Sequence, residues 1–187
     1  MATVAAPMTT EELLALPDDG MERWLIEGEL RERPMTVRNR FHSRAMIRVG
    51  KFLDNWLDEQ PPPRGQVLGG EAGVRLSRDP DTTVGVDVVY VSADVIVQQT
   101  QEMTLIDGVP TLVVEILSPN DTIEEIHEKI TLYQSAGVPL VWVVHPYDRT
   151  VTVYRPNVEP DSFNISKELS GEPHLPGFRV PVARLFE

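Results

Sequence analysis

The run Thr111-Leu112-Val113-Val114-Glu115-Ile116-Leu117, together with the thirty or so residues after it, decides the fold. Apart from Glu115 it has the apolar, β-branched make-up of a strand covered on both faces. Ser118-Pro119-Asn120 is a short link. Asp121 to Ala136 then carries helical periodicity through Ile123, Ile126, Ile130 and Tyr133, and Gly137 and Pro139 end it. Leu140 to Val144 is a second apolar run short enough for a buried strand. Strand, helix and strand in that order predict a crossover joining two parallel strands.

Upstream, Val67 to Leu76 and Val84 to Ser92 read as strands joined by the polar turn Ser77 to Thr83. Before them Asn39 to Glu59 is the longest helix candidate, stopped by Pro61-Pro62-Pro63-Arg64-Gly65. Trp24 to Glu32 alternates around Glu27-Gly28-Glu29 and predicts a hairpin. Thr9 to Leu16 is a short helix with the capping-box pattern Thr9-Thr10-Glu11-Glu12, ended by Pro17. Residues 1–8 read as a disordered leader, 93–110 as loop, and 9–187 as a single domain. Downstream, Thr150 to Tyr154 and a stretch near Phe163 to Glu168 read as further strands. The expected class is α/β, in the form of an α+β mixed sheet flanked by helices. Its core runs helix, three strands, helix, strand, with strands added at both ends.

Bulk properties exclude several kinds of function. The chain has no cysteine, so disulfides, thiolate zinc sites and cysteine nucleophiles are out, which fits a reducing cytoplasm. The N-terminal stretch lacks a basic n-region and an apolar h-region, and no apolar run is long enough to cross a bilayer. A net charge of −12 argues against passive adhesion to nucleic acid or to an anionic membrane. It leaves room for a nuclease, because a metal ion can supply local positive charge at an acidic site.

Two carboxylates interrupt otherwise apolar strands. One is Glu115; the other is Asp87 in Val84-Gly85-Val86-Asp87-Val88-Val89-Tyr90-Val91. On alternation Glu115 shares a face with Val113 and Leu117, and Asp87 shares one with Val89 and Val91. A carboxylate so placed is costly unless it is paired. Each alone is accounted for by an edge position, a buried arginine or capping N–H groups. The pair together points to one charged centre, most simply a divalent metal held by oxygen ligands. Lys129 falls at the edge of the helical stripe next to Tyr133. It is placed either to reach back over Glu115 or to pair with Glu125 at i,i+4 on a wet face.

Other candidates are weaker. Ser118 has no nucleophile-elbow glycines around it, and a helix-entry role suits it. His42, His127, His145 and His174 lack zinc-ligand spacing. Gly69-Gly70-Glu71-Ala72-Gly73 lacks the Lys-Ser/Thr of a phosphate loop. Trp24, Trp56 and Trp142 read as core. Arg38, Arg40, Arg44, Arg48 and Lys51 form a basic strip that is either a solvated face or a contact to a phosphate backbone.

An aspartate on one strand, a glutamate on the next and then a helix with an inward lysine resembles the PD-(D/E)XK nuclease superfamily. More narrowly, the chain resembles the Uma-type bacterial family of restriction-endonuclease-like proteins. The matching stretches are Leu25-Ile26-Glu27-Gly28-Glu29-Leu30, His42 in its helix, Val86 to Val91, Leu112 to Pro119, Lys129, Tyr133, Gly137-Val138-Pro139, Trp142-Val143-Val144 and Leu175-Pro176-Gly177-Phe178. The resemblance implies that Asp87 and Glu115 bind the metal, Mg²⁺ or Mn²⁺, with the Ile116 carbonyl. Lys129 matches the family's lysine, moved from the usual place two residues after the glutamate, where Leu117 stands. Tyr133 would position that lysine. The motif's usual proline is Val86 here, and Trp24 stands where the early hairpin often carries an acid. The implied function is metal-dependent hydrolysis of DNA. The alternative is a non-catalytic member of the fold that acts as a binding or structural homodimer.

Overall fold

The structure is a computed structural model that describes residues 6–119 and 121–187. Most of the leader expected over 1–8 lies outside the described residues; Met8 donates its N–H to the Gly28 carbonyl at 2.9 Å. Helix α1 (Thr10–Leu14) begins at Thr9, and the capping box with Glu12 is complete. Strands β1 (Met21–Ile26) and β2 (Glu29–Pro34) form the hairpin. Its turn residues Glu27 and Gly28 have φ of 51° and 75°, the paired positive values that match a right-twisted hairpin. A Cβ at Gly28 would lie 2.3 Å from the Pro7 Cβ, so only glycine fits there.

Helix α2 (Arg40–Asp58) is capped by Asn39, whose side chain accepts from the Phe41 and His42 N–H groups. Strands β3 (Gln66–Ser77) and β4 (Thr82–Val91) come next as a long antiparallel pair. The segment read as loop over 93–110 holds a short helix, α3 (Ala93–Ile96), and a two-residue strand, β5 (Ile106–Asp107). Both are too short to leave a periodic signal. Strand β6 (Leu112–Ile116), helix α4 (Ile123–Ser135) and strand β7 (Leu140–His145) are the expected crossover, and β6 and β7 are parallel. Strand β8 (Thr150–Arg155) pairs with β9 (Val158–Asn164). The strand read near 163–168 thus lies earlier, as β9, and two further short strands follow it. It is a polar edge strand containing Pro160 and shows no apolar alternation. Strands β10 (Glu168–Ser170) and β11 (Arg179–Pro181) make a separate hairpin before a 3₁₀ turn over Val182–Leu185.

The main sheet runs β2-β1-β4-β6-β7-β8-β9, with β3 beside β4 and β5 beside β3. Helix α2 and the C-terminal hairpin cover one face through Ala45, Val49, Leu53, Val114, Trp142 and Phe178. The other face packs against α4 through Val113, Val89, Val141, Tyr133 and Val138. Strand β6 alternates between these layers as expected, with Leu112, Val114 and Ile116 toward α2. Of the stripe expected on α4, Ile130 and Tyr133 are buried and Ile126 is half-buried, but Ile123 is 69% exposed. The first turn of α4 overhangs a cleft instead of lying on the sheet.

A buried polar anchor ties α1 to the sheet. Asp81 accepts from the Thr10 N–H at 2.7 Å and from its hydroxyl at 2.5 Å, and Arg75 joins Glu11 and Asp107 at 2.7 and 2.6 Å. Burial works against the Asp81 charge, but the Thr10 bonds and Arg75 outweigh it and hold the carboxyl below its ordinary 3.8. A depressed carboxylate stabilises the fold above its unfolded pKa, and that stability is lost as pH falls through 3.8 toward the folded value. Asp81→Asn is expected to destabilise by about 1–3 kcal/mol at pH 7 and to flatten the loss of stability between pH 5 and 3 (flanking the ordinary 3.8). Denaturant melts at several pH values check both.

Candidate active site

Glu115 is fixed by backbone order and then by side chains. The β4–β6 ladder pairs Val89 with Val113 and Val88 with Val114, and Asp87 and Glu115 are the next residues on their strands. One Glu115 oxygen accepts from the Lys129 ammonium at 2.7 Å, and the other accepts a very short bond from the Tyr133 hydroxyl. Lys129 and Tyr133 stand one turn apart on α4, so both reach the same carboxylate. The competing Glu125 partner is occupied elsewhere. It closes the capping box with Thr122, accepting from the Thr122 N–H at 2.9 Å.

Asp87 is 5% exposed, and its charge acts on Glu115. It accepts from the Ile116 N–H at 2.7 Å, and the His42 Nε2 is 3.1 Å from its other oxygen. Nε2 is thus the ring nitrogen that faces the carboxylate, and the buried Nδ1 has no partner. The sequence marks His42 only as part of the family resemblance and assigns it no role; zinc spacing does not find it, because His42 and Asp87 are 45 positions apart and meet through the packing of α2 across β4.

Strand β3 bulges directly across from Asp87. Gly69 pairs with Val88 and Ala72 with Val86, so Gly70 and Glu71 together oppose Asp87 alone. The glycine-rich stretch that resembled a failed phosphate loop is therefore this bulge, with Gly70 at φ 83°. Val84 and Val86 before Asp87, and Val89 and Val91 after it, all pack on the α4 side. The two-residue alternation thus slips at Asp87. Asp87 accordingly reaches His42 on the α2 side as well as its neighbour on β6.

Electrostatics set the protonation states. Burial pushes the Glu115 carboxyl up from its ordinary range; the Lys129 charge opposes the rise and the Asp87 charge adds to it. Burial works against the Lys129 charge, but Glu115 and then Asp87 outweigh it and the ammonium is held above 10.5. Tyr133 is pushed well above 10, first by burial and then by Glu115, so it stays a protonated donor.

Glu115 and Lys129 open onto a cleft of about 420 Å³ between α4, α1 and the β1–β2 hairpin. Asp87 and Tyr133 do not line it. Of the weaker candidates, the Ser118 N–H is taken by Asp121 at 2.7 Å, a helix-entry role. Arg44 and Arg48 bond the Glu187 and Arg184 carbonyls, and Arg38 pairs with Glu71, so part of the basic strip is used internally. Trp142 is core, Trp56 donates to the Pro176 carbonyl at 2.9 Å, and Trp24 is half-buried. Among the described residues no three His, Asp or Glu side chains form a metal cluster, and no helix is long and apolar enough to cross a membrane.

The chain is similar in structure to a crystal structure from Anabaena variabilis ATCC 29413, described as "a putative nuclease belonging to DUF820". The TM-score is 0.77 at 21% identity, covering 96% of this chain and 98% of that one. At that identity the likeness is one of fold. No curated protein matches significantly. Residues 10–183 match the Uma2 family model, described as "Putative restriction endonuclease". With nearly the whole sheet, both long helices and the buried acids inside that match, the chain belongs to the Uma2 family.

Proposed function

We propose that this protein is a divalent-metal-dependent endonuclease that hydrolyses DNA phosphodiester bonds, with Asp87, Glu115 and Lys129 as its catalytic residues. The observation that carries this reading is Glu115, a buried carboxylate facing a cleft with a lysine on one oxygen and a tyrosine on the other. The family match supports the coarser part of this reading, a nuclease-like function.

The donor set fits Mg²⁺ or Mn²⁺. Burial raises the cost of charging Glu115, and the neighbouring Asp87 charge adds to it. A small hard dication relieves that cost and needs only one or two carboxylates, a carbonyl such as that of Ile116, and waters. When bound, the ion supplies the charge that polarises a phosphodiester and acidifies a water.

The chain's own residues do the rest. His42 and the Ile116 N–H hold Asp87 from two sides, so its orientation is fixed before any ligand arrives. Tyr133, permanently protonated, holds Glu115. Lys129 keeps 41% of its side chain exposed and uses one of its three N–H groups on Glu115. Charged at all physiological pH values, it orients the attacking water or stabilises charge developing on the phosphate.

Nicking of supercoiled plasmid is expected with Mg²⁺ or Mn²⁺, and Lys129→Ala should lower its rate by about 10²–10³-fold while ion binding survives. Undiminished, metal-dependent cleavage by Lys129→Ala would remove the lysine from the mechanism. Ion binding with no cleavage in the parent protein would leave a non-catalytic member of the fold.

A second test addresses stability. A carboxylate whose folded pKa is raised supports the fold most below 4.5 and loses that support as pH rises through its folded value. Glu115→Gln keeps an acceptor for Tyr133 and Lys129, and the freed ammonium can hydrate. At pH 7 without metal the variant should therefore match or exceed the parent, within about 1 kcal/mol if lower. A loss well beyond that would mean that Lys129 already compensates the buried charge in full.

A further inference from the structure

We propose that Arg33, on the hairpin wall facing Lys129, is a substrate-positioning residue that binds a backbone phosphate next to the one being cut. This rests on the nuclease reading above and names the second point at which the same site holds its substrate.

Arg33 lines the same cleft as Glu115 and Lys129, from the opposite wall. Its guanidinium is held in one orientation. Nε and Nη2 bond the two Glu22 oxygens at 2.8 and 3.2 Å, a forked pairing across the β1–β2 ladder, where Glu22 and Arg33 are direct partners. The Trp24 ring lies 5.6 Å from the guanidinium carbon. The fork uses Nε and Nη2 and leaves Nη1 outside it, and 35% of the side chain remains exposed. A guanidinium fixed on one edge and open on another is preorganised for an oxyanion. Arg33 and its partner Glu22 also sense the α4 wall. Asp121 and Glu125 act on Arg33, and Lys129 acts on Glu22.

The cleft's charge balance gives this cation its importance. Asp18, Glu22, Glu71, Asp121, Glu125 and Glu128 line it along with Glu115, against Arg23, Arg33 and Lys129. A polyanion entering an acidic cleft needs each cation it can reach. Arg23 is taken up by Asp19 and Glu32 at 2.7 and 3.1 Å. Arg33 is therefore the available partner for Lys129. If Glu22 and Arg33 only zipped the hairpin, the two residues would be equivalent. Phosphate positioning makes them unequal.

The test compares Arg33→Gln, Arg33→Lys and Glu22→Gln in two assays. One is metal-dependent cleavage of a short duplex. The other is anisotropy of a fluorescein-labelled duplex on the Lys129→Ala background, which keeps both acids and does not depend on turnover. Arg33→Gln should raise KM and Kd by about tenfold with kcat little changed, and should reduce the salt slope of binding by about one contact. Arg33→Lys should fall between, and Glu22→Gln, which loosens the fork but keeps the cation, should weaken Kd less than Arg33→Gln does. Equal losses in the Arg33→Gln and Glu22→Gln proteins that track melting temperature would overturn the proposal. So would unchanged Kd in Arg33→Gln, or no DNA binding by the parent. A parent that binds DNA in an Arg33-dependent way but cuts none with either cation would sink the nuclease reading and leave Arg33 as a phosphate contact.

Discussion

The burial of one carboxylate, Glu115, is the constraint on which the rest of this structure depends. It stands at 7% exposure in a strand whose every other residue is apolar. Such a charge is tolerated only if the fold brings partners to it. Helix α4 lies back over the β6 side of the sheet, and the 14-residue spacing delivers Lys129 to one oxygen. One turn later Tyr133 arrives at the other, with its ring in the core beside Val113 and Val141. The same residue thus joins packing to chemistry, and α4 cannot shift without losing either.

Asp87 answers to a different set of elements. Its neighbours come from β6, through the Ile116 N–H, and from α2, through His42. The bulge at Gly70–Glu71 breaks the β3 ladder at that position. The two acids are therefore oriented from opposite layers of the domain, α2 for one and α4 for the other, with the sheet between them. A site built this way is rigid without a ligand, and its uncompensated cost is electrostatic. That is the situation in which a cation gains most by binding.

Much of this was legible in the sequence, for identifiable reasons. The strand–helix–strand unit, the α2 limits at Asn39 and Glu59, and the Glu27–Gly28 turn each rest on local signals: cap, period, turn chemistry. Asp87 and Glu115 stood out because charge contradicts a buried pattern. The Lys129 ambiguity was real at the level of spacing, and it was resolved by Glu125, whose role in the Thr122 cap leaves the lysine for Glu115. What stayed hidden was non-local. His42 needs the α2–β4 packing, Arg33 needs the hairpin's placement against α4, and the Arg75 anchor joins residues 64 and 32 positions apart. The polar edge strand β9 and the short α3 and β5 carried no periodicity to read.

The central claim is that Asp87 and Glu115 form a single divalent-cation site. Calorimetric titration of Mn²⁺ into the parent protein, Asp87→Asn and Glu115→Gln tests it most directly. One ion per chain is expected in the parent, displaceable by Mg²⁺, and none in either variant, with all three proteins folded by circular dichroism. Equal Mn²⁺ binding in all three, or none in the parent at millimolar cation, would contradict it.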